Sequence, residues 1–440
     1  MGITIAVPIT QACFFGGRDN INMDDIQVLV CDDSALMRNL ISRVVDSTQG
    51  MKVCATAMNG RFCLQKIPTT KPDIIILDIE MPEMNGVEFL RERKMQGIDI
   101  PVLILSSVAT KGAAVTMQCL ELGAIDFITK PSGSVSSNIM SVSAALIERI
   151  ASYGSRYARR KGKNVYPTDF FIQQTKYKEA ELSVKKAGLA KAQPTVEAKP
   201  TSAAKPTGAV KTPLEQKTEL PIFSASIWKP SKPKEPAVIK PERNPGPIEI
   251  VAIGISTGGP NALREMLAKI DPKFPRPILI VQHMPAGFTK EFANSLNRIC
   301  PLEVKEAEDG DLIHPGMVYV APGDFHIVVE KSTLCNVIRL SKADFRNGHR
   351  PSADVMFESV AKIYQNRALG VIMTGMGRDG AEQLAEMRKQ GAWTLGQDEN
   401  SSVVYGMPKA GWENGAVQKQ VSLDNMADEI NRLVREHANG

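Results

Sequence analysis

Gly254-Ile255-Ser256-Thr257-Gly258-Gly259-Pro260 sets a small hydroxyl residue in a glycine turn. An apolar run over 248–255 precedes it and a helix-spaced segment over 261–267 follows. A serine so placed stands clear of the backbone beside a helix N-terminus, where an attacking oxygen is presented and developing negative charge is met. It needs a base within hydrogen-bond reach, and the base needs an orienting acid. All five histidines, His283, His314, His326, His349 and His437, lie beyond Gln282. His283 stands out because it closes the apolar run 278–281, and a surface or core role fits the other four. Asp379, in Met373-Thr374-Gly375-Met376-Gly377-Arg378-Asp379-Gly380, again follows an apolar strand at a glycine-rich turn. Asp324 and Asp398 are weaker rivals that turn formation explains. The glycine turn alone also fits a nucleotide-phosphate loop, although it lacks the middle glycine of G-x-G-x-x-G and the lysine of a P-loop. Ser256, His283 and Asp379 together favour nucleophilic catalysis, in a chain order that is not that of the α/β-hydrolase fold.

A second set lies upstream. Asp32, Asp33 and Asp78 end two apolar runs, Ser106 ends a third and Lys130 a fourth. One aspartate at a strand end is an ordinary turn former. Three clustered carboxylates repel one another unless a hard divalent cation holds them, and Mg²⁺ suits carboxylate and phosphate oxygens. With a hydroxyl and an ammonium beside it, such a carboxylate can accept a phosphoryl group as an acyl phosphate.

The elements that must position these residues follow from periodicity. From Gln27, strands near 28–31, 52–57, 73–78, 101–107 and 126–130 alternate with helical segments, which predicts a flavodoxin-like domain with a five-stranded parallel sheet. Ser34 is placed to cap the first helix. Beyond residue 247, strand candidates at 248–255, 277–281, 316–320, 326–329, 336–340, 368–373 and 393–395 alternate with helices after Pro260, Thr289, Ser352 and Asp379. They predict a second, doubly wound α/β domain carrying the Ser-His-Asp set, mixed because the short strands over 318–340 are close enough for hairpins. Between the domains, residues 153–247 are rich in Pro, Lys, Ala, Thr and Ser, repeat Lys-Pro, and carry roughly eleven net positive charges. That composition predicts a disordered, partly polyproline spacer in which the patch 223–228 is the part placed to dock, and a helical run ending near Arg160 extends the first domain. The expected boundaries are 1–22 for a disordered extension or over-called start, 23–152, 153–247 and 248–440.

For 440 residues a net charge of +5 gives no global case for nucleic-acid binding, and no helix-turn-helix pattern follows the first domain. Seven singly scattered cysteines without a CxxC pair suit reduced, buried thiols in a cytoplasmic protein. No apolar run approaches a membrane span, so no membrane insertion is expected.

Over about 27–150 the chain resembles a response-regulator receiver domain, and Met81-Pro82-Glu83-Met84-Asn85-Gly86 matches that family as well. The resemblance implies Asp78 as phospho-acceptor, Asp32, Asp33 and Asp78 as Mg²⁺ site, Ser106 as switch hydroxyl, Phe127 as switch aromatic, and Lys130 as phosphate-pairing lysine before a cis Pro131. The stretches 254–260, Gln282-His283-Met284-Pro285-Ala286-Gly287-Phe288-Thr289 and 373–380 closely resemble the chemotaxis protein-glutamate methylesterase family, CheB. This resemblance covers both folded domains in the family's order. The long linker and the N-terminal extension depart from the pattern, and Arg378 occupies a variable position. It implies hydrolysis of glutamate methyl esters on methyl-accepting chemoreceptors, deamidation of receptor glutamines, and phosphorylation by a chemotaxis histidine kinase. Ser256 is then the nucleophile, His283 the base and Asp379 its partner, with the Met376 N–H in the oxyanion site and Thr257 beside the nucleophile. Mg²⁺ is expected only at the receiver, with no cofactor for the ester chemistry, and a monomer that binds no DNA. Two alternatives remain: a non-catalytic receiver-containing scaffold acting as a phosphate sink, and a receiver-controlled serine hydrolase of another protein ester.

Overall fold

The computed structural model describes residues 23–106, 110–130, 135–178, 235–333 and 335–438. The extension expected over 1–22, the Lys-Pro repeats from 199 to 233, the patch 223–228 and Pro131 lie outside these residues. Among the described residues no helix is long and apolar enough to cross a membrane.

In the first domain β1 (Ile26–Cys31), β2 (Met51–Ala57), β3 (Ile74–Asp78), β4 (Val102–Ser106) and β5 (Asp126–Thr129) pair in the order β2-β1-β3-β4-β5, all parallel. Helices α1 (Ala35–Asp46), α2 (Gly60–Thr70), α3 (Gly86–Met95), α4 (Thr110–Glu121) and α5 (Val135–Arg149) alternate with them. Every residue of β3 and β4 is buried, which is why these strands read as unbroken apolar runs: helices cover both faces of the sheet. Ser34 caps α1 through its side chain, and Asn85 with Glu88 forms a capping box on α3.

The linker boundary expected at 153 is corrected. α5 continues through a π-helical turn, Ile150–Gly154, into α6 (Ser155–Arg160). The chain then folds back on the first domain: Asp24 bridges Val165, and Lys163 Nζ lies 2.7 Å from Asp73 Oδ2. Helix α7 (168–178) buries Phe170 and Phe171 completely. Two adjacent phenylalanines in a polar, lysine-bearing stretch give little periodic signal, yet together they staple the segment down. The far end shifts as well. Residues 235–247 run along the second domain, with Ala237 N donating to Glu413 O (3.0 Å), Glu242 N to Lys389 O (2.8 Å) and Gly246 N to Asn366 O (3.0 Å).

The second domain contains β6 (Ile250–Ile255), α8 (Gly259–Leu267), β7 (Ile278–Gln282), α9 (Thr289–Asn297), β8 (Glu303–Glu306), β9 (Met317–Val320), β10 (His326–Glu330), β11 (Val337–Ser341), α10 (Ala353–Tyr364), β12 (Ala368–Ile372), α11 (Ala381–Lys389), β13 (Trp393–Gln397), α12 (Met407–Glu413), β14 (Lys419–Val421) and α13 (Leu423–Glu436). Seven strands pair in the order β14-β13-β12-β6-β7-β9-β8, each pairing parallel. The expected hairpin exists, but β10 and β11 form a separate antiparallel ribbon and the large sheet itself is unmixed. A connection this short permits only antiparallel pairing, and the ribbon docks on α10 through Val329 N to Ser359 Oγ (3.0 Å). The chain winds outward from β6 in both directions, with β7 on one side and β12 on the other. The crevice at their carboxyl ends is the topological switch point where α/β sheets bind ligands.

Candidate active site

Register brings the three predicted residues to that crevice. Ile255 pairs with Gln282 and Gly254 with Ile372, so Ser256, His283 and the segment after Met373 leave the sheet side by side. Ser256 N donates to Thr374 O (2.9 Å), and His283 N to Ile255 O (3.1 Å). Gly258 at the head of α8 has φ +82°, and a β-carbon there would meet Val403 Cβ at 2.7 Å. Gly375 lies so near Ser256 that its β-carbon would stand 2.7 Å from the serine Cβ. Both positions require glycine.

His283 Nε2 lies 2.8 Å from Asp379 Oδ2. The acid is set by donors that the sequence did not point to. Ser352 Oγ donates to Asp379 Oδ1 (2.6 Å), the Ala353 N–H at the start of α10 to Oδ2 (2.6 Å), and Asn347 Nδ2 to Oδ1 (2.8 Å). Burial acts to raise the Asp379 pKa, but the hydrogen bond and charge of His283, with Ser352 and Asn347, hold it well below the usual carboxylate range. His283 Nδ1 is buried and, among the described residues, has no hydrogen-bond partner. Among the described residues no hydrogen bond joins Ser256 Oγ to His283, although both line one cavity of about 130 Å³. Gln282 Nε2 braces the turn from beneath, donating to the carbonyls of Ser256 (3.0 Å) and His283 (3.1 Å). Met376 is half-buried beside Gly375, whose segment pairs with Tyr405.

Asp126, Phe127, Ile128, Thr129, Ala145 and Arg149 of the first domain close the other side of the cavity. Phe127 stacks on Phe288 with centroids 4.8 Å apart. Thr257 Oγ1 reaches Glu148 Oε1 at 3.4 Å, and burial pushes the Glu148 carboxyl up against the opposing charge of Arg149. Asn261 Nδ2 donates to the carbonyls of Ala124 and Ile125 (3.1 Å each), and Arg298 pairs with Glu121. On α6, Arg156 donates to Asn400 O (3.0 Å) and Ser402 O (3.3 Å).

At the carboxyl ends of the first sheet, oxygens of Asp32, Asp33 and Asp78 lie within 4.8 Å of one another. Lys130 Nζ is 3.0 Å from Asp32 and 2.7 Å from Asp78. One ammonium against three carboxylates leaves an excess of negative charge that fits a hard dication. Burial raises the Asp78 pKa to about 6 against the lowering effect of Lys130. Ser106 Oγ lies 2.6 Å from Thr116 Oγ1, linking this rim to α4.

A flavodoxin-like acidic domain followed by a parallel α/β domain with serine, histidine and aspartate at one switch point defines a class: a response regulator with a hydrolase-like output domain. The chain belongs to the CheB methylesterase family. The family model described as CheB methylesterase matches residues 251–430, and that for the response regulator receiver domain matches residues 28–137. A Treponema denticola protein named protein-glutamate methylesterase/protein-glutamine glutaminase is 52% identical over 417 residues, 94% of this chain and 100% of that one. The same-named protein of Treponema pallidum is 47% identical over 412 residues, 93% of this chain and 98% of its own. Among solved structures, the catalytic domain of Thermotoga maritima CheB methylesterase is 39% identical, with a TM-score of 0.42, covering 42% of this chain and 99% of that one.

Proposed function

We propose that this chain is a phosphorylation-activated protein-glutamate methylesterase acting on methyl-accepting chemoreceptors, with deamidation of receptor glutamines as a second activity. The observation that carries the reading is that Ser256 and His283 share one cavity closed by the receiver, with Asp379 on the Nε2 side of His283. Ser256 Oγ attacks the ester carbonyl while His283 takes its proton at Nδ1, because Nε2 is engaged by Asp379. The imidazolium then protonates the departing methoxide, releasing methanol. The same ring next activates water, which cleaves the acyl-serine to a glutamate carboxylate and restores Ser256. Asp379, low in pKa and anchored at the head of α10, stabilises the imidazolium without taking the proton. The Met376 N–H meets the oxyanion, with Thr257 beside it. One such donor is worth ~3 kcal/mol in the transition state.

On the receiver, a histidine kinase supplies the phosphoryl group to Asp78. Asp32, Asp33 and Asp78 would hold Mg²⁺, which offsets charge on the phosphoryl oxygens, while Lys130 and Ser106 bind those oxygens. Phosphorylation shifts the population away from the closed arrangement, in which Phe127, Glu148 and Arg149 stand over the serine.

The test measures methanol released from methylated receptor, with and without a small-molecule phosphodonor and Mg²⁺. The phosphodonor should accelerate wild-type release. Ser256→Ala should lower kcat about 10³-fold or more, and Asp78→Asn should keep basal release but lose all stimulation. Wild-type turnover by Ser256→Ala ends the esterase mechanism, and stimulation surviving in Asp78→Asn ends the control mechanism.

A further inference from the structure

The hydrogen bond from Nε2 to Asp379 holds one edge of the His283 ring, and the plane of the ring depends as well on what packs against its face. The direction of Nδ1, on which proton transfer depends, needs a second constraint. It comes from the loop between β11 and α10. There the His349 ring lies flat over His283, with centroids 3.8 Å apart and planes 12° from parallel.

The loop is pinned on both sides of that ring. Arg350 donates to Asp324 Oδ1 through Nη2 (2.6 Å) and Nε (3.1 Å), and through Nη1 to the carbonyls of Lys342 and Ala343 (3.1 Å each). Arg346 Nη1 lies 2.7 Å from Glu358. Asn347, in the left-handed region at φ 54°, bridges the carboxylates of Asp379 (2.8 Å) and Asp354 (2.6 Å). One short loop therefore touches both the base and the acid. His349 does not line the cavity that holds Ser256, so its reach is to His283 rather than to substrate.

We propose that His349 is a positioning residue for the ester hydrolysis: its stacked ring fixes the plane of His283 and thereby aims Nδ1 at Ser256. The inference rests on the reading of His283 as the general base. Burial, with the charge of His283, pulls the His349 pKa down to about 4, so the stacked ring is neutral at neutral pH. A neutral π-face beside a forming imidazolium is attractive, where a second cation would repel it.

The experiment compares His349→Ala, His349→Phe, His349→Leu and His283→Ala in the full-length phosphodonor-activated protein. Methanol release from methylated receptor gives kcat and KM, and thermal melting reports folding. His349→Ala should lower kcat about tenfold with KM within about twofold, because a misaimed base costs the transition state rather than binding. His349→Phe keeps a flat ring and should recover kcat to within about threefold. His349→Leu fills similar space without a ring and should not. Unchanged kcat in His349→Ala overturns the proposal, as does a loss confined to KM or recovery in His349→Leu equal to that in His349→Phe. Should the alanine variant be unfolded, the phenylalanine–leucine pair decides alone. Wild-type kcat in His283→Ala would remove the base itself and with it the reading beneath this proposal.

Discussion

The two sheets of this molecule place a carboxylate at the same topological address and give it opposite electrostatic surroundings. Asp78 ends β3 among Asp32 and Asp33, with Lys130 as the ammonium beside it, and burial drives its pKa up to about 6. Asp379 follows β12 at the head of a helix, amid donors from Ser352, Ala353, Asn347 and His283, and its pKa falls. The first carboxylate is short of positive charge and suited to recruiting a cation and a phosphoryl group. The second is already satisfied and suited to holding a histidine through a reaction. Strand ends of parallel sheets supply the place, and the balance of donors and acceptors supplies the chemistry.

The largest test of this contrast removes the satisfied charge. Asp379→Asn keeps the shape but withdraws the anion that stabilises the imidazolium, and kcat for methanol release should fall by about 10³–10⁴-fold. A loss below tenfold would make Asp379 a structural cap on α10 instead. Next comes the contact between the two regions. Phe127→Ala deletes the stack on Phe288, worth about 1 kcal/mol, and should raise unstimulated methanol release roughly fivefold with little effect on the stimulated rate. A fall in unstimulated release would mean that the receiver supports the site rather than covering it.

The smallest effect is on stability, and its sign differs between the regions. Asp78 has a folded-state pKa of about 6, above the ordinary 3.8, so the folded receiver binds the proton more tightly. Its stability contribution is complete below about pH 4 and is lost as pH rises through 6. His349 has a folded-state pKa of about 4, below the ordinary 6.5, so the unfolded chain binds the proton more tightly. Its contribution is complete above about pH 6.5 and is lost as pH falls toward 4. In urea titrations without Mg²⁺, Asp78→Asn should exceed wild type by about 1–2 kcal/mol at pH 7, with the margin shrinking toward pH 4. The margin of His349→Phe over wild type should instead grow as pH falls through the same range. Margins of the same slope would erase the contrast.

The strands that carry the predicted residues were legible because a parallel sheet buried on both faces leaves unbroken apolar runs, and each run here ends in a residue with chemistry. Edge strands left less trace. Glu303–Glu306 alternates charge with a single buried valine, and Lys419–Val421 is three residues long. Helix α7 was hidden by its charged surroundings. The supports of the acid were unreadable for another reason: Asn347, His349 and Ser352 reach Asp379 and His283 from a loop remote in the chain. Nothing local in 342–352 announces that destination, so His349 read as an ordinary histidine.

Helix α5, its π-helical turn and α6 form one continuous rod. Glu148, against Thr257, and Arg156, on the carbonyls of Asn400 and Ser402, sit eight residues or about 12 Å apart along it. The loop that Arg156 grips leads to Tyr405, the bridge partner of Gly375 next to Met376. The rod therefore ties the contact at Thr257, next to Ser256, to the loop that backs the segment after β12.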